Sequence, residues 1–354
     1  MHLGLKALNT FFEQHREKDA LVLATVVGIQ GSSYRKPGAM MLISADGDYA
    51  GMISGGCLEA DLLEHAAAVF QNGEPAHVTY DMYADEQLVW GLGLGCDGVI
   101  NLLLQRLDRQ KQFEFLPFLF KAQGARLRTV LALVTSSDCA ELAEGAVALS
   151  DSSGHTYGSD MLCTCIDKAE FAPSSRYLEK SIELPGGRVD VLLVDIQPAP
   201  KILVCGAGPD AGPITQLVTD LGWECVVVDH RAHYAQPGRF PAGASIIQIP
   251  AKDMATAVDL TEIDAAVIMS HHLENDLLYL DACLGADGIS YIGILGPSLR
   301  REKLLARCKK TSTALFGPVG LDIGAELPES IALSAVAEIH AVLNGRSGGI
   351  LTKC

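Results

Sequence analysis

At 354 residues, 49% hydrophobic and 20% charged, the chain is that of an ordered globular protein too long for one core, which predicts two domains or three. A formal net charge of −16 excludes broad binding to nucleic acid or anionic membranes and leaves room for a local basic pocket. The cysteines form no CxxC pair, residues 1–19 do not read as a secretory leader, and no apolar run approaches a membrane-spanning length; a disulfide framework, a zinc site and a membrane span are all disfavoured, and a soluble cytoplasmic protein with reduced thiols is expected.

Leu5, Leu8, Phe11 and Phe12 share one side of a helical wheel and predict a helix over residues 3–17. Residues 20–29, rich in Val and Leu, read as a buried strand that runs into Gly31-Ser32-Ser33-Tyr34-Arg35-Lys36-Pro37-Gly38. That loop sets two hydroxyls and two cations between turn formers; Ser32, Ser33 and the Arg35 fork suit phosphate oxygens, and a solvated turn is the competing reading. Residues 39–43 and 49–53 read as a hairpin about Asp46-Gly47, which delivers the chain into Ser54-Gly55-Gly56-Cys57-Leu58-Glu59. Gly55 and Gly56 let a ligand approach the backbone, and the helix start that follows presents unpaired NH groups, so the turn is an anion-binding candidate. Cys57 adds a soft nucleophilic sulfur suited to covalent catalysis or to contact with a soft metal; a small cysteine closing a packed bend is the alternative. Glu59 and Asp61 favour the helix dipole and oppose an anion.

A helix carrying Leu62, Ala66 and Val69 ends before Asn72-Gly73, a strand covers residues 76–81, and Trp90-Gly91-Leu92-Gly93-Leu94-Gly95-Cys96-Asp97-Gly98 is a second glycine-rich loop with a thiol, a ligand loop or a simple bend. Strands follow at 99–104, 129–135, 146–149 and 189–195, with a helix at 109–123. Cys139, Cys163 and Cys165 lack histidines at ligand spacing and read as inert. No internal repeat is read from the sequence.

The prolines of Gln197-Pro198-Ala199-Pro200 mark a linker, which divides the chain into domains at 1–197 and 200–354. Beyond it, a short strand leads to Gly206-Ala207-Gly208-Pro209, then a helix, then a strand ending at Asp229: a Rossmann βαβ unit. Gly206 and Gly208 would let a pyrophosphate approach, Asp229 would bind ribose hydroxyls and Arg231 a 2′-phosphate, so NAD(P) is a possible ligand, while Pro209 removes one helix-start NH. Strands at 245–249, 265–269 and 289–292 alternate with helices at 253–259, 274–284 and 298–310, the pattern of a doubly wound parallel sheet. Two polar motifs follow strands: Ser270-His271-His272 with Asp276, open to acid–base work, metal ligation or plain helix capping, and Gly296-Pro297-Ser298 with Arg300 and Arg301, open to anion binding or surface charge. A long Gly317–Gly324 turn precedes a last helix starting near Pro328.

Together these motifs resemble the XdhC/CoxI family of xanthine and carbon monoxide dehydrogenase accessory proteins: Gly31-Ser32-Ser33 with Arg35, Ser54-Gly55-Gly56-Cys57 with Glu59, Gly206-Ala207-Gly208, Asp229-His230-Arg231, Ser270-His271, Tyr291 to Gly296 and Gly317 to Gly324. The chain departs from the family pattern at Cys96-Asp97-Gly98, Ser270, Pro209 and Gly296-Pro297. The resemblance implies a mixed α/β N-terminal domain of XdhC type before the Rossmann-like domain. It also implies a molybdenum cofactor (molybdopterin) chaperone that protects the cofactor during sulfuration and delivers it to a molybdenum hydroxylase. A cofactor-sulfurating enzyme and the hydroxylase client would be its partners, and a homodimer would bury the labile ligand. Ser32, Ser33 and Arg35 would hold the phosphate, and Gly55, Gly56 and Cys57, beside Glu59, would face the molybdenum. An NAD(P)-dependent oxidoreductase using His271 or His272 for proton transfer, and a cofactor-free assembly scaffold, are the alternatives.

Overall fold

The computed structural model describes residues 4–31, 33–82, 98–110, 113–172, 175–308 and 310–353. Ser32 and residues 90–97 of the second glycine-rich loop lie outside them. The chain divides into two compact units, Met1–Pro198 and Ala199–Cys354.

Among the described residues the first unit holds two five-stranded antiparallel sheets. β1 (Ala20–Gly31), β2 (Met40–Ile43), β3 (Tyr49–Gly51), β4 (Ala76–Asp81) and β5 (Gly98–Asp108) make the first, in the order β3-β2-β1-β5-β4. β6 (Thr129–Ser137), β7 (Val147–Asp151), β8 (Thr156–Tyr157), β9 (Tyr177–Leu184) and β10 (Gly187–Ile196) make the second, in the order β8-β7-β6-β10-β9. The helices are α1 (Leu5–His15), α2 (Glu59–Asn72), α3 (Phe115–Gly124) and α4 (Asp160–Asp167). β1 is apolar on both faces because both are covered. Val22, Ala24 and Val26 pack with Leu62, Ala66 and Val69 of α2, and Leu21 and Leu23 join α1, α3 and the Leu131, Leu192 and Val194 side of the other sheet. The α3 helix starts at Phe115, later than periodicity suggests, and α4 and β9 leave little trace in the sequence: α4 is short, and the β9 edge strand alternates without a fully buried residue.

The two sheets are copies of one design. Each half runs helix, three strands, helix, two strands, and the strand order of the second sheet is that of the first shifted by five. The correspondence extends to single residues. Leu23 pairs with Leu42 and Gln105, while Leu131 pairs with Leu149 and Val194. The register breaks after Val26 in β1 and at the matching place beyond Val134 in β6. Gly38 donates to the Val26 carbonyl as Gly145 does to that of Val134. Gly51 and Gly158 both have strongly positive φ, and a Cβ on either would lie 2.3 Å from the Met40 carbonyl oxygen or 2.5 Å from that of Val147. The expectation of no repeat is therefore corrected. The copies agree in register, turns and glycine placement, and Val22, Leu23, Ala24 and Val26 recur as Val130, Leu131, Ala132 and Val134, while other equivalent positions, such as Gln105 and Val194, differ.

The second unit is a six-stranded parallel sheet in the order β13-β12-β11-β14-β15-β16, built from β11 (Lys201–Cys205), β12 (Glu224–Asp229), β13 (Ala244–Gln248), β14 (Ala265–Ile268), β15 (Tyr291–Ile294) and β16 (Leu315–Phe316). Its helices are α5 (Ala211–Asp220), α6 (Met254–Ala257), α7 (Leu273–Leu284), α8 (Ser298–Arg307) and α9 (Pro328–Leu343). Ile214, Val218, Val336 and Ile339 bring α5 and α9 onto one face, and Met254, Tyr279, Leu280 and Leu304 bring α6, α7 and α8 onto the other. This is the doubly wound Rossmann architecture that the βαβ pattern predicted. Among the described residues no helix is long and apolar enough to cross a membrane.

Candidate functional site

Antiparallel pairing gathers the first-unit motifs at one end of the first sheet. Gly31 pairs with Gly98, Asp81 with Val99, and Gly51 with Met41, so the β1–β2 loop, the turn after β3 and both anchors of the β4–β5 connection stand at that end. The matching end of the second sheet is plain. There Gly158 is followed at once by Ser159, which caps α4, and β9 turns into β10 through residues 185–186. The first copy instead inserts residues 52–58 ahead of α2 and residues 82–97 between β4 and β5. Fold maintenance does not require this extra chain, since the second copy closes without it; it is the natural place for function.

The Ser54–Glu59 turn is built around a carboxylate. Glu59 is buried at the first position of α2, and its Oε1 accepts from the Ser54 amide at 2.9 Å and the Ile53 amide at 3.4 Å. Its Oε2 accepts from the Ser54 hydroxyl at 2.5 Å and the Leu58 amide at 3.2 Å. Burial opposes its charge, but the bonds from the Ser54 hydroxyl and the Ser54 and Ile53 amides hold the carboxyl below the ordinary glutamate value. Ser54 Oγ in turn accepts from the amides of Gly56, Cys57 and Leu58 at 3.2, 3.0 and 3.1 Å. The helix-start amides expected to meet an anion are thus turned inward. What faces outward is the exposed Cys57 thiol, with Gly55 and Gly56 beside it, where an added Cβ would meet nothing within 4 Å.

On the neighbouring loop the Ser33 hydroxyl donates to the Arg35 carbonyl at 2.8 Å, and Tyr34 is 68% exposed. Arg35 is partly exposed and, among the described residues, has no ionic partner. The same end of the sheet therefore carries an uncompensated guanidinium, an exposed thiol and glycines open to close approach. Among the described residues no three His, Cys, Asp or Glu side chains converge as a metal site.

In the second unit the glycine turn follows β11 at the switch point between β11 and β14. Gly206, with positive φ, passes so close to β14's end that a Cβ would sit 2.6 Å from the Met269 carbonyl oxygen. Asp229, 1% exposed, already has four donors. Ala207 N reaches Oδ2 at 2.8 Å, Arg231 N and Nε reach Oδ1 at 2.8 and 3.0 Å, and Arg231 Nη2 reaches Oδ2 at 2.7 Å. Although burial pushes the other way, these bonds, led by the Arg231 guanidinium, bring its carboxyl down to about 2. The expected ribose and 2′-phosphate contacts thus pair with each other, and Arg231 also lies over the Tyr234 ring, 4.2 Å from its centroid. Gly206 and Gly208 are buried, and His271, held at φ 58, bonds Asp210 at 3.0 Å beside Gly208.

His272 and Asp276, four residues apart, have separate structural work. His272 caps α7, its Nδ1 accepting from the Asn275 amide at 3.4 Å. Asp276 is fully buried, accepts from the Ser270 amide at 3.0 Å and hydroxyl at 2.5 Å, and is paired with Arg300 of α8. Arg300 thereby leaves the anion-site reading, while Arg301 retains a buried Nε that has no hydrogen-bond partner among the described residues. Sequence reasoning misses the Ser54–Glu59 and Ser270–Asp276 braces; a serine followed by an acid at short spacing is their only sign.

A duplicated antiparallel unit bearing a braced glycine–thiol turn, followed by a Rossmann unit, defines a two-part α/β protein. Residues 14–81 match the XdhC and CoxI family and residues 202–339 the XdhC Rossmann domain. A Bacillus subtilis (strain 168) protein, named as a probable xanthine dehydrogenase subunit, is 31% identical over 325 residues, 91% of this chain and 93% of its own. The molybdenum cofactor insertion chaperone PaoD of Escherichia coli (strain K12) is 26% identical over 333 residues, 91% of this chain and 83% of its own. A crystal structure described as a xanthine dehydrogenase from Bacillus halodurans has a TM-score of 0.78 at 30% identity, covering 98% of this chain and 97% of that one. The chain belongs to the XdhC and CoxI family.

Proposed function

We propose that the protein is a maturation factor for xanthine dehydrogenase-type molybdenum hydroxylases: it holds molybdopterin, shields it while a sulfurating enzyme acts on it, and passes it to the client enzyme. The observation that carries this reading is the exposed Cys57 thiol, set on a turn braced by buried Glu59 within a segment that only the first copy of the sheet possesses. Similarity over most of the chain to a molybdenum cofactor insertion chaperone and to a protein named for xanthine dehydrogenase supports it.

The residues present suit the cofactor's chemistry. Molybdopterin supplies a phosphate, a dithiolene and a metal centre. Arg35 offers a cation that no described carboxylate neutralises, with Ser33 and Ser32 beside it in sequence, and these residues hold the phosphate. Gly55 and Gly56 leave the backbone open, and the soft Cys57 sulfur faces the metal end. Glu59 acts through the turn rather than on the ligand, consuming the donors that would otherwise let the loop relax.

The test is anaerobic purification from a molybdopterin-producing host, with released pterin and molybdenum measured, followed by activation of an apo client. The wild type retains pterin, Arg35→Ala loses most of it, and Cys57→Ala retains less metal and activates the client poorly. Wild-type protein free of both pterin and molybdenum would overturn the reading. Unchanged loading and activation by Cys57→Ala would remove the thiol from it.

A further inference from the structure

At the opposite end of the first sheet, a cavity of about 420 Å³ opens between the two copies. It lies beside Gly73, at the far end of α2 from Cys57, so about 21 Å of helix separates it from the glycine–thiol turn. Its wall carries Gln105, which is 5% exposed on the apolar face of β5 between Leu103 and Leu107. Among the described residues the Gln105 amide has no hydrogen-bond partner, and its Oε1 is sealed from solvent.

The duplication shows that the fold does not need this amide. The register equates Gln105, opposite Leu23, with Val194, opposite Leu131. It likewise equates Gly145, against Gln105, with Gly38, against Val194. In the second sheet Val194 fills the space tightly: a Cβ on Gly38 would lie 2.6 Å from its Cγ1. At the equivalent place the first sheet carries an unpartnered carboxamide beside a cavity. An unpaired amide in an apolar core is a cost without structural return, and a ligand that pairs with it supplies the return.

The remaining lining narrows the ligand. Phe115 and Tyr157 offer aromatic surface, and the Tyr157 hydroxyl has no partner among the described residues. Arg106 pairs with Asp108 at 2.8 Å, and Glu144 faces His77 at 3.1 Å, so neither charge is left over for an ionic ligand. The Gln105 carboxamide is neutral and, with Oε1 sealed, meets a ligand through its Nε2 donor. We propose that this cavity is a second ligand site, taking a neutral planar heterocycle with a ring carbonyl, to which Gln105 Nε2 and the Tyr157 hydroxyl donate hydrogen bonds. It is separate from the Cys57 end and does not depend on the function proposed for that end.

The test uses the full chain, with hypoxanthine as the lactam probe and purine, which lacks the oxo group, as its control. Isothermal titration and saturation-transfer NMR read binding. Hypoxanthine binds saturably, and purine binds at least about tenfold more weakly. Gln105→Val copies the residue used at the equivalent position; it folds with an unchanged or raised thermal midpoint and loses hypoxanthine binding. Tyr157→Phe folds normally and weakens binding about fivefold, which keeps the test decisive should the valine variant misfold. Failure of hypoxanthine to bind, equal binding of purine, or undiminished binding by either variant would overturn the proposal and leave a cavity filled by water alone.

Discussion

Replacing Glu59 by Gln tests the idea that the glycine–thiol turn is held from within. The carboxylate accepts from Ser54 Oγ, Ser54 N, Ile53 N and Leu58 N inside a buried pocket. A carboxamide of the same shape offers one accepting oxygen and presents two donors where protein donors already point. Hydrogen bonds to a charged acceptor contribute about 1.5–3 kcal/mol each, and a stranded buried donor costs about 1–3 kcal/mol. Because the bonds share one group and do not add, a loss of roughly 3–5 kcal/mol in the first unit is expected. That corresponds to about 6–20 °C in its thermal midpoint. Amide exchange gives the local readout: Cys57 and Leu58, protected in the wild type through Ser54 Oγ, exchange faster in the variant. The sign with pH follows from the depressed carboxyl. Its stabilisation is complete above the unfolded glutamate value and disappears as pH falls through the lower folded value, so wild type and variant converge in acid. A Glu59→Gln protein with wild-type melting at neutral pH and unchanged Cys57 exchange would refute the brace.

Asp276→Asn, which strands Arg300 at a largely buried position, lowers second-unit stability by about 3–5 kcal/mol in urea unfolding; a loss below about 1 kcal/mol would show the pair to be incidental. Asp229, held down to about 2 against about 3.9 unfolded, contributes fully above about pH 4 and loses that contribution towards pH 2, so Arg231→Ala moves the acid unfolding midpoint upward, a shift that circular dichroism would follow. Gly51→Ala and Gly158→Ala each destabilise by more than about 2 kcal/mol and by similar amounts, because both Cβ atoms strike a carbonyl at the equivalent bend; calorimetry finding one variant neutral would break the equivalence.

The second unit was legible because its evidence is local. A Val-rich strand, the Gly206 turn, the apolar face of α5 and Asp229 lie in one continuous segment, and each element announces the next. Its ligand chemistry was less legible because pairing decides it. Arg231 and Asp229 are separated by one residue and satisfy each other, and the partner that removes Asp276 from acid–base work, Arg300, lies a whole βα unit away. The same holds for the glycine–thiol turn. Sequence placed Cys57 on it, but the direction of its amides depends on Ser54 Oγ, which composition does not reveal. The duplication was hidden for a different reason: it is conserved in glycine φ angles and strand register, whereas in the sequence Val22, Leu23, Ala24 and Val26 recur as Val130, Leu131, Ala132 and Val134, a run too short to read as a repeat, and side chains such as Gln105 and Val194 differ.

That divergence bears on how the chain reaches its folded state. Two halves with interchangeable backbones invite a strand of one to dock in the sheet of the other, the characteristic misassembly of tandem modules. β5 and β10 share register, and valine is tolerated where Gln105 stands, but β5 in the place of β10 would press the Gln105 carboxamide against Gly38, where Val194 packs tightly. A mismatched side chain on a matched backbone thus disfavours one of the two exchanges, that of β5 into the second sheet.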